Sequence, residues 1–235
     1  MAESALPSKR SSCASSSLRS ITQTTMEWPL VQTQIDNCRR CEQEAVRYLV
    51  VPSGQKRHPP YPPPVPTRLL FVSVAPPWGG DYFWDESKHD KVREGLFSAL
   101  ATATGQQFNS VRAFREAGYF LIPGVKCPSQ KCGKDHEPSA MAIKNCASHL
   151  VGEIGLSHAE RILALGREPM KSVSHALELE FPGMVHEYRR KLLWGRIAGH
   201  LVPVAGTYFP GNNRHKGFAK IAEDIKWILA QEPKS

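Results

Sequence analysis

Arg68-Leu69-Leu70-Phe71-Val72-Ser73-Val74 is a nearly continuous apolar run, and Ala75-Pro76-Pro77-Trp78-Gly79-Gly80 ends it abruptly. A strand with one wet face would alternate apolar and polar residues. This run does not alternate, so it reads as a strand buried on both faces, which is the situation of a parallel sheet covered by helices. Three later segments repeat the signal: Tyr119-Phe120-Leu121-Ile122, Arg161-Ile162-Leu163-Ala164-Leu165 and Leu201-Val202-Pro203-Val204-Ala205. The proline of the last suggests an edge strand or an irregular end. Helical stretches are expected at Lys91–Thr104, at 138–153 (Ala142, Ile143, Cys146, Leu150 and Val151 at helical spacing) and at Gly217–Leu229, where Phe218, Ile221, Ile225 and Ile228 share a face. Strands alternating with helices predict an α/β fold: a three-layer α/β/α sandwich on a mainly parallel, four-stranded central sheet.

The N-terminal flank has a different character. Residues 1–25 are rich in Ser and Thr with almost no large apolar positions, and are expected to be a disordered tail. Met26 is a possible alternative start, and the periodic pattern begins there, so 26–235 is read as one domain. Trp28–Glu44 reads as a helix carrying Cys38 and Cys41. Pro59, Pro60, Pro62, Pro63, Pro64 and Pro66 then make a stiff connector that excludes helix and internal strand.

No apolar run is long enough to span a bilayer, and the N-terminus has no secretory apolar stretch. A reducing, cytoplasmic setting is therefore expected (nucleoid-associated if the source is bacterial). There the six cysteines read as ligands or buried thiols rather than disulfides. A formal charge of +8 suits a polyanionic partner such as nucleic acid. No membrane partner is expected. Composition is silent on oligomeric state, and a monomer is the default.

Four cysteines stand out: Cys38 and Cys41 as a C-x-x-C pair, Cys127 within Val125-Lys126-Cys127-Pro128, and Cys146. Four soft ligands from three segments can hold an iron–sulfur cluster or a zinc ion. Cys38, Cys41, Cys127 and Cys132, with His136 nearby, make a second possible set suited to zinc.

The order Lys126-Cys127-Pro128, Glu137-Pro138, Asn145-Cys146, Ile162-Leu163-Ala164-Leu165-Gly166-Arg167 resembles the iron–sulfur branch (family 4 and its neighbours, family 5 among them) of the uracil-DNA glycosylase superfamily. The resemblance runs from about Asp36 to Leu229. It implies a 4Fe–4S cluster on Cys38, Cys41, Cys127 and Cys146, with zinc as the alternative. It also implies DNA as partner and hydrolysis of the N-glycosidic bond of a damaged base, without strand cleavage. The base pocket would be formed by Ala75, Pro76, Phe120, Pro123 and Phe209, with Phe120 available for stacking.

The chain departs from the family at its catalytic positions. Val74 stands where the first loop has a Glu, Trp78 falls near the later acidic position, Pro123 replaces the uracil-reading Asn, and Phe209 replaces the His of the third motif. Neither Pro123 nor Phe209 has a side-chain donor. Candidate replacements lie in the same loops: Asp81 to orient water, and His215 or Asn212 to donate to the leaving base. Arg214 and Lys216, just before the last helix, suit a DNA phosphate. Tyr82 and Trp84 flank Phe83 in an aromatic loop that suits base stacking, or else covers the core. These departures point to a lesion other than uracil. The competing reading is a catalytically inactive DNA- or protein-binding module on the same fold.

Overall fold

The computed structural model describes residues 28–43, 57–78, 83–131, 134–135, 137–180, 183–212 and 217–234. It is an α/β fold. In chain order the elements are α1 (Trp28–Asp36), α2 (Arg40–Gln43), β1 (Leu69–Ser73), α3 (Lys91–Thr104), α4 (Val111–Glu116), β2 (Tyr119–Pro123), β3 (Gln130–Lys131), β4 (Lys134–Asp135), α5 (Ala140–Ser157), β5 (Ile162–Leu165), α6 (Arg167–Ala176), α7 (Val185–Tyr188), β6 (Leu193–Ile197), β7 (His200–Thr207), a 3-10 turn (Pro210–Asn212) and α8 (Gly217–Leu229). Among the described residues no helix is long and apolar enough to cross a membrane.

The central sheet has five strands in the order β2-β1-β5-β7-β6, where the sequence pattern predicts four. The four expected strands run parallel, and β6 adds an antiparallel fifth beside β7. The β6–β7 hairpin closes through Ala198 and Gly199, both at positive φ (48° and 91°), the backbone signature of a type I′ turn. Pro203 does not mark an edge, since β7 lies between β5 and β6. Pairing with β5 begins at Ile162↔Val204, one residue after Pro203, so the missing N–H faces no partner strand on that side.

The central strands are buried as their composition demands. Leu69 to Val72 of β1, and all of β2 and β5, lie in the interior. Phe114 of α4 stacks on Phe71 with centroids 6.1 Å apart and on Tyr119 at 5.7 Å. Helices α3 and α8 pack together, as do α5 and α6, while α1 leans on α5. Caps set the helix limits. Asp90 accepts from Arg93 N at the start of α3, and Gly105 ends it in the left-handed region at φ 75°. Ser139 caps α5 in the same way as Asp90 caps α3.

The helix expected over Trp28–Glu44 is interrupted. Cys38 lies in the turn between α1 and α2, and Cys41 lies on α2. The carbonyls freed at the break are taken by guanidinium groups: Arg57 donates to Ile35 O and Cys38 O, and Arg39 to Asp36 O and Cys38 O. The proline connector is pinned to the surface as well. Gln32 donates to Pro59 O, Arg115 to Pro62 O and Thr67 to Pro64 O.

Candidate functional site

After β1 the chain crosses to β2 on one side, and later returns as β5 on the other side of β1. The loops leaving β1 and β5 therefore diverge, and open α/β sheets bind ligands in the crevice at such a reversal of strand order. A cleft of about 550 Å³ lies there. Val74–Pro77 after β1, Leu165–Pro169 after β5, the start of α3 and Phe209 after β7 form its walls. A narrow extension of about 70 Å³ shares Val74–Pro77, Asp90, Val92 and Phe209, and reaches Leu121 and Pro123 of β2.

Four residues expected in the base pocket thus meet in one place: Ala75, Pro76, Pro123 and Phe209. Phe209 packs against two glycines, its ring on Gly211 and its Cβ on Gly166. A Cβ on Gly211 would stand 2.7 Å from its Cε1, and one on Gly166 would stand 3.4 Å from its Cβ. Gly166, at φ 110° and ψ −178°, also occupies a backbone region open essentially to glycine alone. Its place in the motif after β5 thus has a steric reason.

Phe120 is not part of the cleft. It is fully buried, with its ring 5.0 Å from Trp84 and 5.9 Å from Trp28. Successive strand residues face opposite ways, and Leu121 and Pro123 take the cleft side. Trp84 is likewise interior: 5% exposed, 5.1 Å from Phe83 and 6.2 Å from Phe114. Aromatic bulk buries more apolar area here than a solvent-facing loop would, so Trp84 covers the core and offers DNA no stacking surface. Asp81, Tyr82, Arg214, His215 and Lys216 lie outside the described residues. Asn212 closes the 3-10 turn that carries Gly211 to the cleft.

Of the described residues, three acids line the cleft, none of them among the catalytic residues expected from the sequence. Asp90 is occupied as the cap of α3, at 2.6 Å from Arg93 N. Glu168 is buried, with Oε1 2.7 Å from Lys171 Nζ. Glu137, exposed, lies at the rim with Arg167. Helix α6 follows Gly166 without a side-chain cap; Gly166 N donates to Thr207 O and Pro169 has no N–H, so Arg167 and Glu168 carry the first-turn amides that no side chain caps. The available signals were a capping residue before an apolar helix and the Gly166-Arg167-Glu168 continuation of the third strand.

The four cysteines come together behind this cleft. Burial pushes the Cys127 thiol up to about 12, opposed by the Arg57 guanidinium and reinforced by the thiols of Cys146, Cys41 and Cys38. Burial likewise pushes Cys146 up to about 11, opposed by the Lys126 amide and side chain. Lys126 N donates to Cys146 Sγ at 3.5 Å, and Asn145 Nδ2 to Cys41 Sγ at 3.7 Å. None of the four forms a disulfide. Among the described residues no group of three or more His, Cys, Asp and Glu side chains is arranged to hold a metal ion as the side chains stand. Cys132 and His136, the other possible zinc ligands, lie outside the described residues.

The thiol cluster and the cleft share a wall. Ala75 lines the cleft and also packs on the small apolar cluster of Cys41, Val125, Ala142, Ile143 and Cys146. Beyond β2 the ladder continues, with Gly124 N donating to Ser73 O at 2.8 Å and Val125 N to Val74 O at 3.0 Å. The buried Lys126 donates to Pro123 O and pairs with the buried Glu153 of α5. The segment from Pro123 to Cys127 is therefore a braced extension of the sheet. No family model matches the chain, and no curated protein matches it.

Proposed function

We propose that this chain is a DNA-binding protein of the uracil-DNA glycosylase superfamily, on the iron–sulfur side, whose cleft receives a flipped nucleobase and supports hydrolysis of its N-glycosidic bond. The observation that carries this reading is the meeting of Ala75, Pro76, Pro123 and Phe209 in one cleft at the β1/β5 switch point. The volume, about 550 Å³, falls within the roughly 300–1,000 Å³ usual for small-ligand pockets. In this reading the α3/α8 and α5/α6 pairs are the two outer layers of a three-layer sandwich.

The chemistry follows from the walls. A base turned out of the stack would lie against Pro76 and Phe209, which exclude water from its faces. The bond from sugar to base then breaks as a water oxygen joins the sugar carbon, and the base leaves with the electron pair and takes up a proton. A carboxylate must orient that water. Asp90 and Glu168 already have partners and Glu137 lies at the rim, so the candidate remains Asp81, the carboxylate that the sequence places in the loop after β1. Amides at the uncapped start of α6, with His215 or Asn212, would receive the charge developing on the base. Arg214 and Lys216 would hold a backbone phosphate.

Cys38, Cys41, Cys127 and Cys146 fit a 4Fe–4S cluster: an all-thiol donor set with Cys41, Cys127 and Cys146 buried and Cys38 half-buried, N–H groups directed at two of its sulfurs, and Arg57 beside it. When bound, the cluster would cross-link the α1–α2 turn, the loop after β2 and α5, fixing the wall that ends in Ala75.

A second reading, a non-catalytic binding module, is favoured by one observation: the described walls at Val74, Pro123 and Phe209 are apolar and present no side-chain donor. Oligonucleotides carrying uracil, hypoxanthine, xanthine or mismatched thymine separate the two. Alkali-labile sites at one lesion, lost in Asp81→Ala, establish the enzyme. Binding without release of any base establishes the module.

A further inference from the structure

A second groove, of about 620 Å³, lies between the α1–α2 turn and the outer side of α5. Arg39, Arg40, Ser148 and His149 line it, together with Asn37 and Cys38. The two guanidinium groups are positioned without being neutralised. Arg40 Nη1 donates to Ser148 Oγ at 2.7 Å and to Asn145 O at 3.2 Å, and among the described residues Arg40 has no carboxylate partner. Arg39 has Glu42 at 3.6 Å, with both side chains about half exposed, a spacing and exposure at which solvent screens most of the attraction.

The fourth side chain makes the groove more than a basic patch. His149 is only 9% exposed, yet its Nε2 has no hydrogen-bond partner among the described residues. Buried polar atoms are almost always paired, so His149, a lining residue of this groove, has a ring nitrogen available to a ligand seated against it. Ser148 Oγ accepts from Arg40 and keeps its own O–H to give.

We propose that this groove binds a phosphate group, with Arg39 and Arg40 supplying the charge and His149 Nε2 and Ser148 Oγ supplying hydrogen bonds. Arginine forks match the tetrahedral oxygens of phosphate better than a single charged point does. Burial, with the charges of Lys126 and Arg40 facing the ring, holds His149 down to about 4, so at neutral pH it is an uncharged imidazole with one N–H. It contributes geometry, and the arginines contribute charge. A strand backbone and a free phosphate share this chemistry. Assigning the phosphate to a DNA strand rests on the function proposed above, and the groove itself does not.

The test uses the full chain in two arms. In the first, inorganic phosphate is titrated in while NMR follows the ring nitrogens of isotope-labelled histidine, with the His149 signal identified by its loss in His149→Gln. A saturable shift that chloride at equal ionic strength does not produce, weakened at least about tenfold in Arg40→Gln, is expected. In the second, binding of a fluorescent DNA duplex is measured against salt. Each phosphate contact contributes about 0.9 to the log–log slope, so Arg40→Gln should flatten it by about that amount and Arg40→Lys should keep most of it. Both effects place a strand phosphate in the groove. A phosphate-dependent shift with an unchanged slope makes it a free-phosphate site. No shift in the unaltered protein and an unchanged slope overturn the proposal. A protein that binds no DNA at any salt while phosphate still moves His149 overturns the DNA reading and leaves the groove standing.

Discussion

Arg189 grips Asp224 with two parallel bonds, Nε to Oδ2 and Nη2 to Oδ1, each 2.8 Å long. Asp224 is 1% exposed, and Thr207 Oγ1 donates to the same Oδ2 at 2.6 Å. One carboxylate thus ties the end of α7 and the end of β7 to α8. The loop from β7 to α8 carries Phe209, Asn212 and the candidates Arg214 to Lys216, so this lock anchors both of its ends.

Removing the carboxylate leaves a guanidinium and a hydroxyl without their acceptor. Asp224→Ala is expected to cost about 3 kcal/mol, the lower end for a broken buried pair because Arg189 is partly exposed. Arg112→Ala, which removes an exposed pair with Glu116, should leave the unfolding midpoint unchanged. Denaturant unfolding of both variants is the check, and equal effects would refute the lock.

Gly206 of β7 has no room for a methyl group, because an added Cβ would collide with the ring of the fully buried Tyr188. Gly206→Ala should cost about 1–3 kcal/mol through overpacking. Tyr188→Ala removes the obstacle, so the double variant should be more stable than the sum of the two losses implies. Additive losses in a double-mutant cycle would show that the ring moves aside freely.

His149 makes stability pH-dependent. Its folded value is lowered to about 4 from 6.5, first by burial and then by Lys126 and Arg40. Between these values the unfolded chain binds the proton and the folded chain does not. Stability is therefore lost as pH falls through that window, by up to about 1.4 kcal/mol per pH unit from this group. His149→Gln should flatten the unfolding free energy between pH 6.5 and 4. An unchanged slope would mean the ring titrates normally.

The thiol set predicts a metal content. Anaerobically purified protein should contain iron and acid-labile sulfide in equal amounts, with zinc at background. Cys38→Ser, Cys41→Ser, Cys127→Ser and Cys146→Ser should each bleach the visible absorption and lower the melting temperature, while Cys132→Ser should do neither. Stoichiometric zinc lost in Cys132→Ser would instead select the alternative ligand set.

The legible parts of the fold share one property: their apolar period is long enough to count. Lys91–Thr104 and Gly217–Leu229 are helices at the predicted bounds, and β1, β2, β5 and β7 lie within about two residues of theirs. What escaped was short or polar. α4 has six residues, and α6 has Pro169 and four polar or charged residues in its first two turns, with Met170 and Val173 as its large buried apolar side chains. β6 depends on an Ala198-Gly199 turn, and alanine gives no sign of positive φ. At the cleft, Ala75, Pro76, Pro123 and Phe209 were accessible through motif order. Phe120 faces the core instead of the cleft, and Trp84 takes the core-covering alternative, because aromatic identity does not say which face of a strand or loop is buried. Glu168 gave no signal because its partner Lys171 shares its helix, where such a pair is ordinary.

Phe209 offers the sharpest test of the enzyme reading. Its ring packs on Gly211 and its Cβ on Gly166 at the cleft wall, and the resemblance puts a histidine at this position. An imidazole is smaller than a phenyl ring, so Phe209→His fits the space the two glycines leave. It would add an N–H donor at a position that now has none, beside the equally donor-free side chains of Val74 and Pro123. A donor placed on a developing anion is worth about 10²–10³ in rate when well aligned. Even with imperfect alignment, Phe209→His should raise release of uracil from DNA at least about tenfold over the unaltered protein. Phe209→Leu, which opens the same space without a donor, should not. Rates from single-turnover assays with excess protein separate this gain from any change in DNA affinity. Equal, negligible release by all three proteins, each still binding the oligonucleotide, would mean that the cleft lacks more than a donor at Phe209 and would favour the binding module.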